Sequence, residues 1–208
     1  MSSKLYYVHD PMCSWCWAYR PVFEQVLESL PAGVSLVRLL GGLAPDSDEP
    51  MPRQLQEYLQ ATWRTIQRRV PGTAFNFDFW TRCQPRRSTY PACRAVIAAR
   101  QQGEAYEPAM ILAIQQAYYL RAMNPSDDAT LITLAEEIGL DSTRFASALN
   151  DPATQQQLEQ EIRFGQSIGA EGFPSLILEH RGQYHRLNYE YQDPQPLLAQ
   201  LNGWEHGA

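Results

Sequence analysis

The sequence has no run of apolar residues long enough to cross a membrane, because no segment approaches the ~20 residues that a spanning helix requires. It also lacks the apolar core of a secretory signal peptide, since Met1 to Lys4 lead directly into a strand-like segment. Positive charge is scarce too. The chain has 17 basic and 23 acidic side chains, a formal net charge of −6, which argues against a nucleic-acid partner. We therefore expect a cytoplasmic protein that binds neither membranes nor nucleic acid.

Cysteine is also rare, with four residues in 208, and their spacing argues against a four-cysteine zinc site. Such sites pair their cysteines across about two to four residues, whereas Cys83 and Cys93 are much further apart. We therefore predict no bound metal. Cys93 is expected to be a small buried side chain on a helix, with a regulatory Cys83–Cys93 disulfide as the alternative.

Cys13-Ser14-Trp15-Cys16 is the motif that points to chemistry. The aliphatic and aromatic segment 5–9 predicts a buried strand, and Asp10-Pro11 ends it. From Cys13 onward, apolar residues recur at a spacing of four as far as Leu30, which predicts an amphipathic helix. A CxxC between a strand and a helix favours a redox pair over half of a zinc site or two unrelated cysteines.

The position of the motif makes its two sulfur atoms chemically different. The first turn of a helix has unpaired N–H groups and partial positive charge, and both favour a thiolate at Cys13. Sites of this kind lower a cysteine pKa from ~8.5 to roughly 3.5–7.5. We predict that Cys13 is the exposed nucleophile and that Cys16, one turn further along the helix, is the resolving thiol.

Strand signals occur at both ends of the chain, and helical signals fill the middle. A second strand is predicted at 34–40, while the aromatic and basic stretch 76–87 is predicted to be irregular. Strands return at 175–179 and 183–187, which flank a short turn and predict an antiparallel hairpin. A closing helix is predicted at 193–201.

This pattern predicts an α/β protein with a thioredoxin-like fold, in the order βαβ…ββα, and a large all-helical insertion. The thioredoxin-like domain would consist of residues 1–52 and 166–208, and the insertion of residues 53–165. Insertion into a single domain explains why the sheet segments lie at both ends of the sequence.

Gly172-Phe173-Pro174 immediately precedes the first strand of the hairpin, where a proline needs a reason. In thioredoxin-like folds a cis-proline occupies this place and packs against the CxxC, and a cis bond is far less costly before proline than elsewhere. We predict a cis Phe173–Pro174 bond that turns the Phe173 backbone toward an extended substrate. A trans proline that merely begins a strand is the alternative.

Cys13-Ser14-Trp15-Cys16-Trp17 after Asp10-Pro11, the helical insertion and Gly172-Phe173-Pro174 together resemble the DsbA-like oxidoreductase family. The resemblance is strongest to its cytoplasmic branch, which includes 2-hydroxychromene-2-carboxylate isomerases and kappa-class glutathione transferases. It covers nearly the whole chain and implies thiol–disulfide chemistry. Those two enzyme classes usually carry a single Ser near the position of Cys13, and periplasmic members have a His between the cysteines. This chain departs from both patterns, because it has two cysteines in the motif and Ser14-Trp15 between them.

The resulting hypothesis is a thiol–disulfide oxidoreductase or disulfide isomerase, with Cys13, Cys16 and Pro174 as its catalytic residues. Ser14, Trp15 and Phe173 would bind the substrate, which is a protein or small molecule carrying thiols or a disulfide. His9 would either assist, by adding positive charge or shuttling a proton, or simply end the first strand.

Two further functions remain open at this stage. One is a glutathione-dependent isomerase or transferase that acts on a small aromatic molecule, with glutathione as cosubstrate and no other cofactor. The other is a noncatalytic domain that binds a partner protein. Either a monomer or a homodimer is compatible with the sequence.

Overall fold

One mixed sheet of four strands forms the centre of the structure, a computed structural model that describes residues 3–206. The strands are β1 (Ser3–His9), β2 (Val34–Leu40), β3 (Ser175–His180) and β4 (Gln183–Arg186). Their order in the sheet is β2-β1-β3-β4, with β2 parallel to β1 and the other neighbouring pairs antiparallel. Both ends of the sequence therefore supply strands to the same sheet, as predicted.

The strand β1 lies inside the sheet, which explains its continuous apolar sequence. Leu5 faces Leu36 of β2 on one side and Leu178 of β3 on the other. Leu5 is fully buried and Val8 is 1% exposed. A strand with sheet neighbours on both sides and helices on both faces has few solvent-facing positions, and in β1 only Lys4, near its start, is exposed.

Helices cover both faces of the sheet. The helix α1 (Ser14–Glu28) follows β1 directly. Its residues Tyr19 and Val22 pack with Leu197 and Leu201 of the last helix on one face. Tyr6 and Ile177 belong to a smaller apolar cluster on the other face. The predicted α/β thioredoxin-like fold is confirmed.

The insertion between β2 and β3 is helical. Its helices are α2 (Arg53–Arg69), α3 (Phe79–Arg82), α4 (Tyr90–Arg100), α5 (Tyr106–Tyr119), α6 (Asp128–Glu137), α7 (Ser142–Leu149) and α8 (Pro152–Ser167), and the closing helix of the chain is α9 (Gln195–His206). The helices of the insertion enclose an apolar core that includes Trp63, Ile97, Met110 and Leu131, and Met12 and Leu40 from outside the insertion pack into it. How the chain divides into domains stays a prediction.

Local sequence signals explain several of these boundaries. Asp151 caps α8 by accepting a hydrogen bond from the Ala153 N–H at 2.7 Å, and Pro152 occupies the first helical position. Arg181 and Gly182 both have positive φ, which fits the two-residue turn of a tight hairpin. The prediction that residues 76–87 are irregular was partly wrong, because Phe79–Arg82 forms one helical turn around the fully buried Phe79.

None of the helices in residues 3–206 is long and apolar enough to cross a membrane.

Candidate active site

The Cys13-Ser14-Trp15-Cys16 motif lies at the start of α1, where the sequence predicts it. Cys13 is the extended residue that precedes the helix, and its carbonyl oxygen accepts the Trp17 N–H at 3.0 Å. The Cys13 N–H donates in turn to the Asp10 carbonyl oxygen at 3.0 Å. The turn between β1 and α1 thus presents the Cys13 sulfur to the first N–H groups of the helix.

The pKa values of the two thiols of the motif are shifted in opposite directions. The hydrogen bond from the Cys16 thiol is the main cause that lowers the pKa of Cys13, and the N–H groups of Cys16 and Trp15 add to it against the effect of burial. Burial is the main cause that raises the pKa of Cys16 well above its usual value, followed by its hydrogen bond and charge interaction with Cys13. Both cysteines are free, so the pair is in its dithiol form.

The accessibility of Cys13 is lower than predicted. Cys13 is only 6% exposed, so the expectation of an exposed nucleophile is wrong in degree, although Cys16 is less accessible still at 0%. The covering group comes from the far end of the chain. In its thiol form, Cys13 donates to the Phe173 carbonyl oxygen at 3.5 Å, a contact that the local sequence around Cys13 does not reveal.

The Phe173–Pro174 peptide bond is cis, as predicted. The carbonyl oxygen of Pro174 accepts a hydrogen bond from the Tyr189 hydroxyl at 3.0 Å, and the Ser175 hydroxyl donates to the Gly172 carbonyl oxygen at 2.6 Å. The Phe173 ring lies against Gly41, where an added Cβ would approach a ring carbon to 1.9 Å. Gly41 therefore provides the space in which the cis-proline loop packs beside the end of β2.

Ser14 and Trp15, the predicted substrate contacts, are both half-buried. The Trp15 ring lies 5.2 Å from that of Tyr191 and also packs beside Ala18, Ile66 and Val70. Trp15 is thus a partly covered side chain rather than an exposed platform, since the chain after β4 supplies one of its walls.

His9 ends β1, in agreement with the simpler of its two interpretations. It is 1% exposed, and among the described residues neither ring nitrogen has a hydrogen-bond partner. Burial, together with the charges of Arg38, Arg20 and Arg100, lowers the pKa of His9 to about 3. The imidazole is neutral near pH 7, so the suggestion that His9 adds positive charge to the site is wrong.

Asp10 is a site residue that the sequence reasoning missed, because it treated this position only as a strand breaker. Its fully buried carboxylate accepts hydrogen bonds from the Met12 N–H, the Leu43 N–H and the Thr89 hydroxyl, each at 2.7 Å, and from the Cys93 thiol at 3.5 Å. Burial raises its pKa against these hydrogen bonds. The sequence signal that could have identified this role is an acidic residue between a buried strand and the CxxC.

The helical insertion also holds the loop before the CxxC. Thr89, which bonds Asp10, directly precedes α4, and the Tyr119 hydroxyl of α5 donates to the Met12 carbonyl oxygen at 2.7 Å. The Trp17 ring stacks on Tyr119 with centroids 5.7 Å apart. The insertion therefore takes part in positioning the motif.

The other two cysteines do not pair with each other. The Cys83 thiol donates to the Ala122 carbonyl oxygen at 3.1 Å, and the Cys93 thiol donates to Asp10. Cys93 is fully buried on α4, as predicted. Within residues 3–204, whose side chains the structure describes, His, Cys, Asp and Glu form no group of three or more that could hold a metal ion.

Comparison with protein families places this arrangement. The model of the DSBA-like thioredoxin domain matches residues 5–192. The chain belongs to the DSBA-like thioredoxin domain family. Among curated proteins, this DSBA-like chain is 23% identical over 209 residues to the ClpXP adapter protein SpxH of Bacillus subtilis (strain 168), which covers 97% of the chain and 68% of SpxH.

Two solved DSBA-like structures are similar over nearly their whole length. A candidate protein disulfide isomerase from Nitrosomonas europaea has a TM-score of 0.84 and 25% identity, covering 100% of this chain and 99% of that one. The cytosolic disulfide reductase DsbM from Pseudomonas aeruginosa has a TM-score of 0.78 and 25% identity, covering 99% and 100%. DsbM has also been solved with GSH, and that structure has a TM-score of 0.75 and covers 96% and 97%.

Proposed function

We propose that the protein is a thiol–disulfide oxidoreductase that uses Cys13 as nucleophile and Cys16 as resolving thiol. The observation that carries this proposal is a pair of free thiols at a helix N-terminus whose pKa values are shifted in opposite directions. The pair lies beside the cis Phe173–Pro174 bond. A nucleophile must be a thiolate, whereas a resolving thiol can keep its proton until a mixed disulfide has formed.

The reaction follows from this difference. In the reductive direction, the Cys13 thiolate attacks a substrate disulfide, a bond forms between Cys13 and one substrate sulfur, and the other substrate sulfur leaves as a thiolate. Cys16 then loses its proton and attacks the Cys13 sulfur, which releases the second substrate thiolate. The enzyme ends as the Cys13–Cys16 disulfide, and its two electrons have reduced the substrate. Oxidation is the reverse sequence.

The substrate would bind across the surface formed by Cys13, Ser14, Trp15 and Phe173. The Phe173 carbonyl oxygen that meets the Cys13 thiol in the dithiol form becomes available once that sulfur joins a substrate. An extended substrate segment could then pair with the Phe173 backbone in the manner of an added strand. In this assignment Pro174 orients the Phe173 carbonyl.

We place the activity in the cytoplasm and in the reductive direction. The similarity to a cytosolic disulfide reductase supports both assignments, and Ser14-Trp15 puts no imidazolium between the cysteines. The expected reduction potential is nearer to about −270 mV, as in thioredoxin, than to about −120 mV, as in a strong oxidant. Equilibration with glutathione buffers measures it.

Turnover of insulin disulfides with dithiothreitol as electron donor tests the dithiol mechanism. We expect Cys13→Ser to abolish turnover and Cys16→Ser to trap a mixed disulfide at Cys13, because each step requires one of the two thiols. Cys83→Ser is the matched control, since that thiol bonds only a distant backbone carbonyl, and it should keep wild-type turnover. Full turnover in Cys13→Ser would refute the mechanism.

A glutathione-dependent reaction on a small aromatic molecule is the alternative enzyme function, and the DsbM structure with GSH supports testing it. A cavity of about 290 Å³ beside Phe173, Gly41 and Ile162 lies between the cis-proline loop and α8, where such a molecule could bind. Activity that requires glutathione and survives Cys16→Ser would favour this function over dithiol exchange.

A partner-binding function is favoured by one observation, the likeness to the SpxH adapter over 97% of the chain. Binding of a partner protein would not require either thiol of the motif. The Cys13→Ser, Cys16→Ser double variant separates the two functions, because an adapter would keep its bound partner in a pull-down whereas an oxidoreductase would lose its turnover.

A further inference from the structure

A cavity of about 220 Å³ reaches Cys16 from the side of the helical insertion. Cys16 and Tyr7 form part of its wall, and Arg20 and Arg38 supply positively charged groups. The substrate-facing residues Cys13 and Phe173 belong to a different surface. Since a water molecule occupies about 30 Å³ in the liquid, the cavity can hold several. It therefore offers the buried resolving thiol a route to water that is separate from the proposed substrate-binding surface.

Tyr7 lines this cavity beside Cys16, and two neighbouring rings hold its side chain in place. Its ring stacks on His9 with centroids 4.8 Å apart and on Phe23 with centroids 4.1 Å apart, and the residue is 6% exposed. Burial raises the pKa of Tyr7 well above its usual value, and the charges of Cys16 and Cys13 and a hydrogen bond with the Cys16 thiol add to it. Tyr7 is thus a neutral phenol in contact with the resolving sulfur.

The resolving step creates a need for such a group. Cys16 is fully buried and holds its proton tightly, yet that proton must leave before the sulfur can attack the mixed disulfide. The nearby Asp10 carboxylate already accepts four hydrogen bonds, and the His9 ring is a weak base because its pKa is about 3. A phenol hydroxyl can accept one proton while donating another.

The geometry points to Tyr7 as the catalytic group that passes the proton of Cys16 to water in this cavity during resolution. The Cys16 proton moves to the Tyr7 oxygen as the Tyr7 proton moves to water. The Cys16 sulfur then bonds to the Cys13 sulfur, the bond between Cys13 and the substrate breaks, and the departing substrate thiolate takes a proton from solvent. This inference rests on the proposed dithiol function and assigns the proton transfer within it.

The dithiol protein and Ellman's disulfide separate the two steps, because attack by Cys13 releases one thionitrobenzoate and resolution by Cys16 releases the second. Tyr7→Phe removes only the hydroxyl and keeps the stacked ring. We expect the first release to stay within about twofold of wild type and the second to slow on the order of 100-fold, the usual contribution of a positioned proton-transfer group. Stopped-flow absorbance measures both phases.

Tyr6→Phe is the matched control, because Tyr6 adjoins Tyr7 in β1 but its hydroxyl donates to Glu179 at 3.2 Å. It should leave both phases unchanged. Leu27→Phe, which narrows the cavity at a half-buried wall position, should slow the second phase alone and supports the inference independently of the folding of Tyr7→Phe. A second phase at the wild-type rate in Tyr7→Phe, or an equal slowing of both phases, overturns the role of Tyr7. Absence of a second release from the wild-type protein instead overturns the dithiol function.

Discussion

The Asp10 carboxylate is close enough to both active-site sulfur atoms for its charge to raise the pKa of each. It therefore opposes the thiolate that the N-terminus of α1 favours. The same carboxylate joins the loop before Cys13 to the Leu43 N–H and the Thr89 hydroxyl. The hydrogen bonds of Asp10 therefore hold the loop before Cys13 in place, whereas its charge makes the Cys13 thiolate less stable.

Asp10→Asn removes the charge and keeps one of the two acceptor oxygens, so it tests the charge at the cost of the hydrogen bonds that the other oxygen accepts. We expect the pKa of Cys13 to fall, so that iodoacetamide alkylates Cys13 about threefold faster below that pKa, which corresponds to roughly 0.7 kcal/mol. Alkylation rates over a pH series measure the change. Asp151→Asn, at the exposed cap of α8, is the control. An unchanged or raised Cys13 pKa in Asp10→Asn contradicts the prediction.

His9 is expected to weaken the folded state in acid. Its pKa is about 3 in the folded protein and about 6.5 in an unfolded chain, so below pH ~6.5 only the unfolded state gains the proton. The free energy of unfolding should therefore fall as the pH drops from ~6.5 toward ~3, by about 2 kcal/mol at pH ~5.

His9→Phe cannot take up this proton and should lose about 2 kcal/mol less stability between pH ~7 and pH ~5 than the wild type. Urea unfolding at the two pH values measures the difference. His185→Gln, on the edge strand β4, serves as the control for removing a histidine. Equal acid sensitivity in His9→Phe and the wild type would falsify the burial argument.

At the scale of elements, α8 is joined to β2 through one buried side chain. A Glu161 carboxylate oxygen accepts the Leu40 N–H at 3.0 Å, and the other pairs with Arg100 of α4. The side chain of Glu161 is only 11% exposed. The insertion is thus bound to the sheet by a hydrogen bond from a backbone N–H of β2, and the same carboxylate forms an ion pair within the insertion.

Glu161→Ala should lower the free energy of unfolding by roughly 2–3 kcal/mol, because it leaves the Leu40 N–H and a largely buried Arg100 without this partner. Glu171→Ala is a matched control, since Glu171 pairs with Arg186 where both side chains are mostly exposed, and it should cost less than ~1 kcal/mol. Urea unfolding compares the two. Similar losses in both variants would contradict the role given to Glu161.

The type of most elements could be predicted because their signals are local. The cap at Asp151 and the turn at Arg181-Gly182 act through neighbouring residues, so the sequence displays them directly. The helical turn at Phe79–Arg82 was not predictable, because it depends on burial of Phe79 among residues from distant helices. The limited exposure of Cys13 and Trp15 has the same origin, since Phe173 and Tyr191 are their covering partners.

At the scale of the whole molecule, the candidate site combines three parts of the chain. The β1–α1 segment supplies the thiols, α5 and the residue before α4 hold the loop, and the cis-proline loop covers Cys13. The CxxC and the cis-proline could be predicted because each has a sequence signature. Tyr7 and Asp10 could not be assigned, because their roles depend on contacts across this assembly rather than on a motif.

The strand order has a consequence for synthesis of the protein. The strand β1 pairs with β2, which is made almost at once, and with β3, which begins at Ser175. At about 5–20 residues per second, roughly 7–27 s separate the two on the ribosome. During that interval one edge of β1 has no partner, and both thiols of the motif have emerged without the loop that later covers them. The Cys13 sulfur therefore gains its covering loop only after Phe173 and Pro174 have been made.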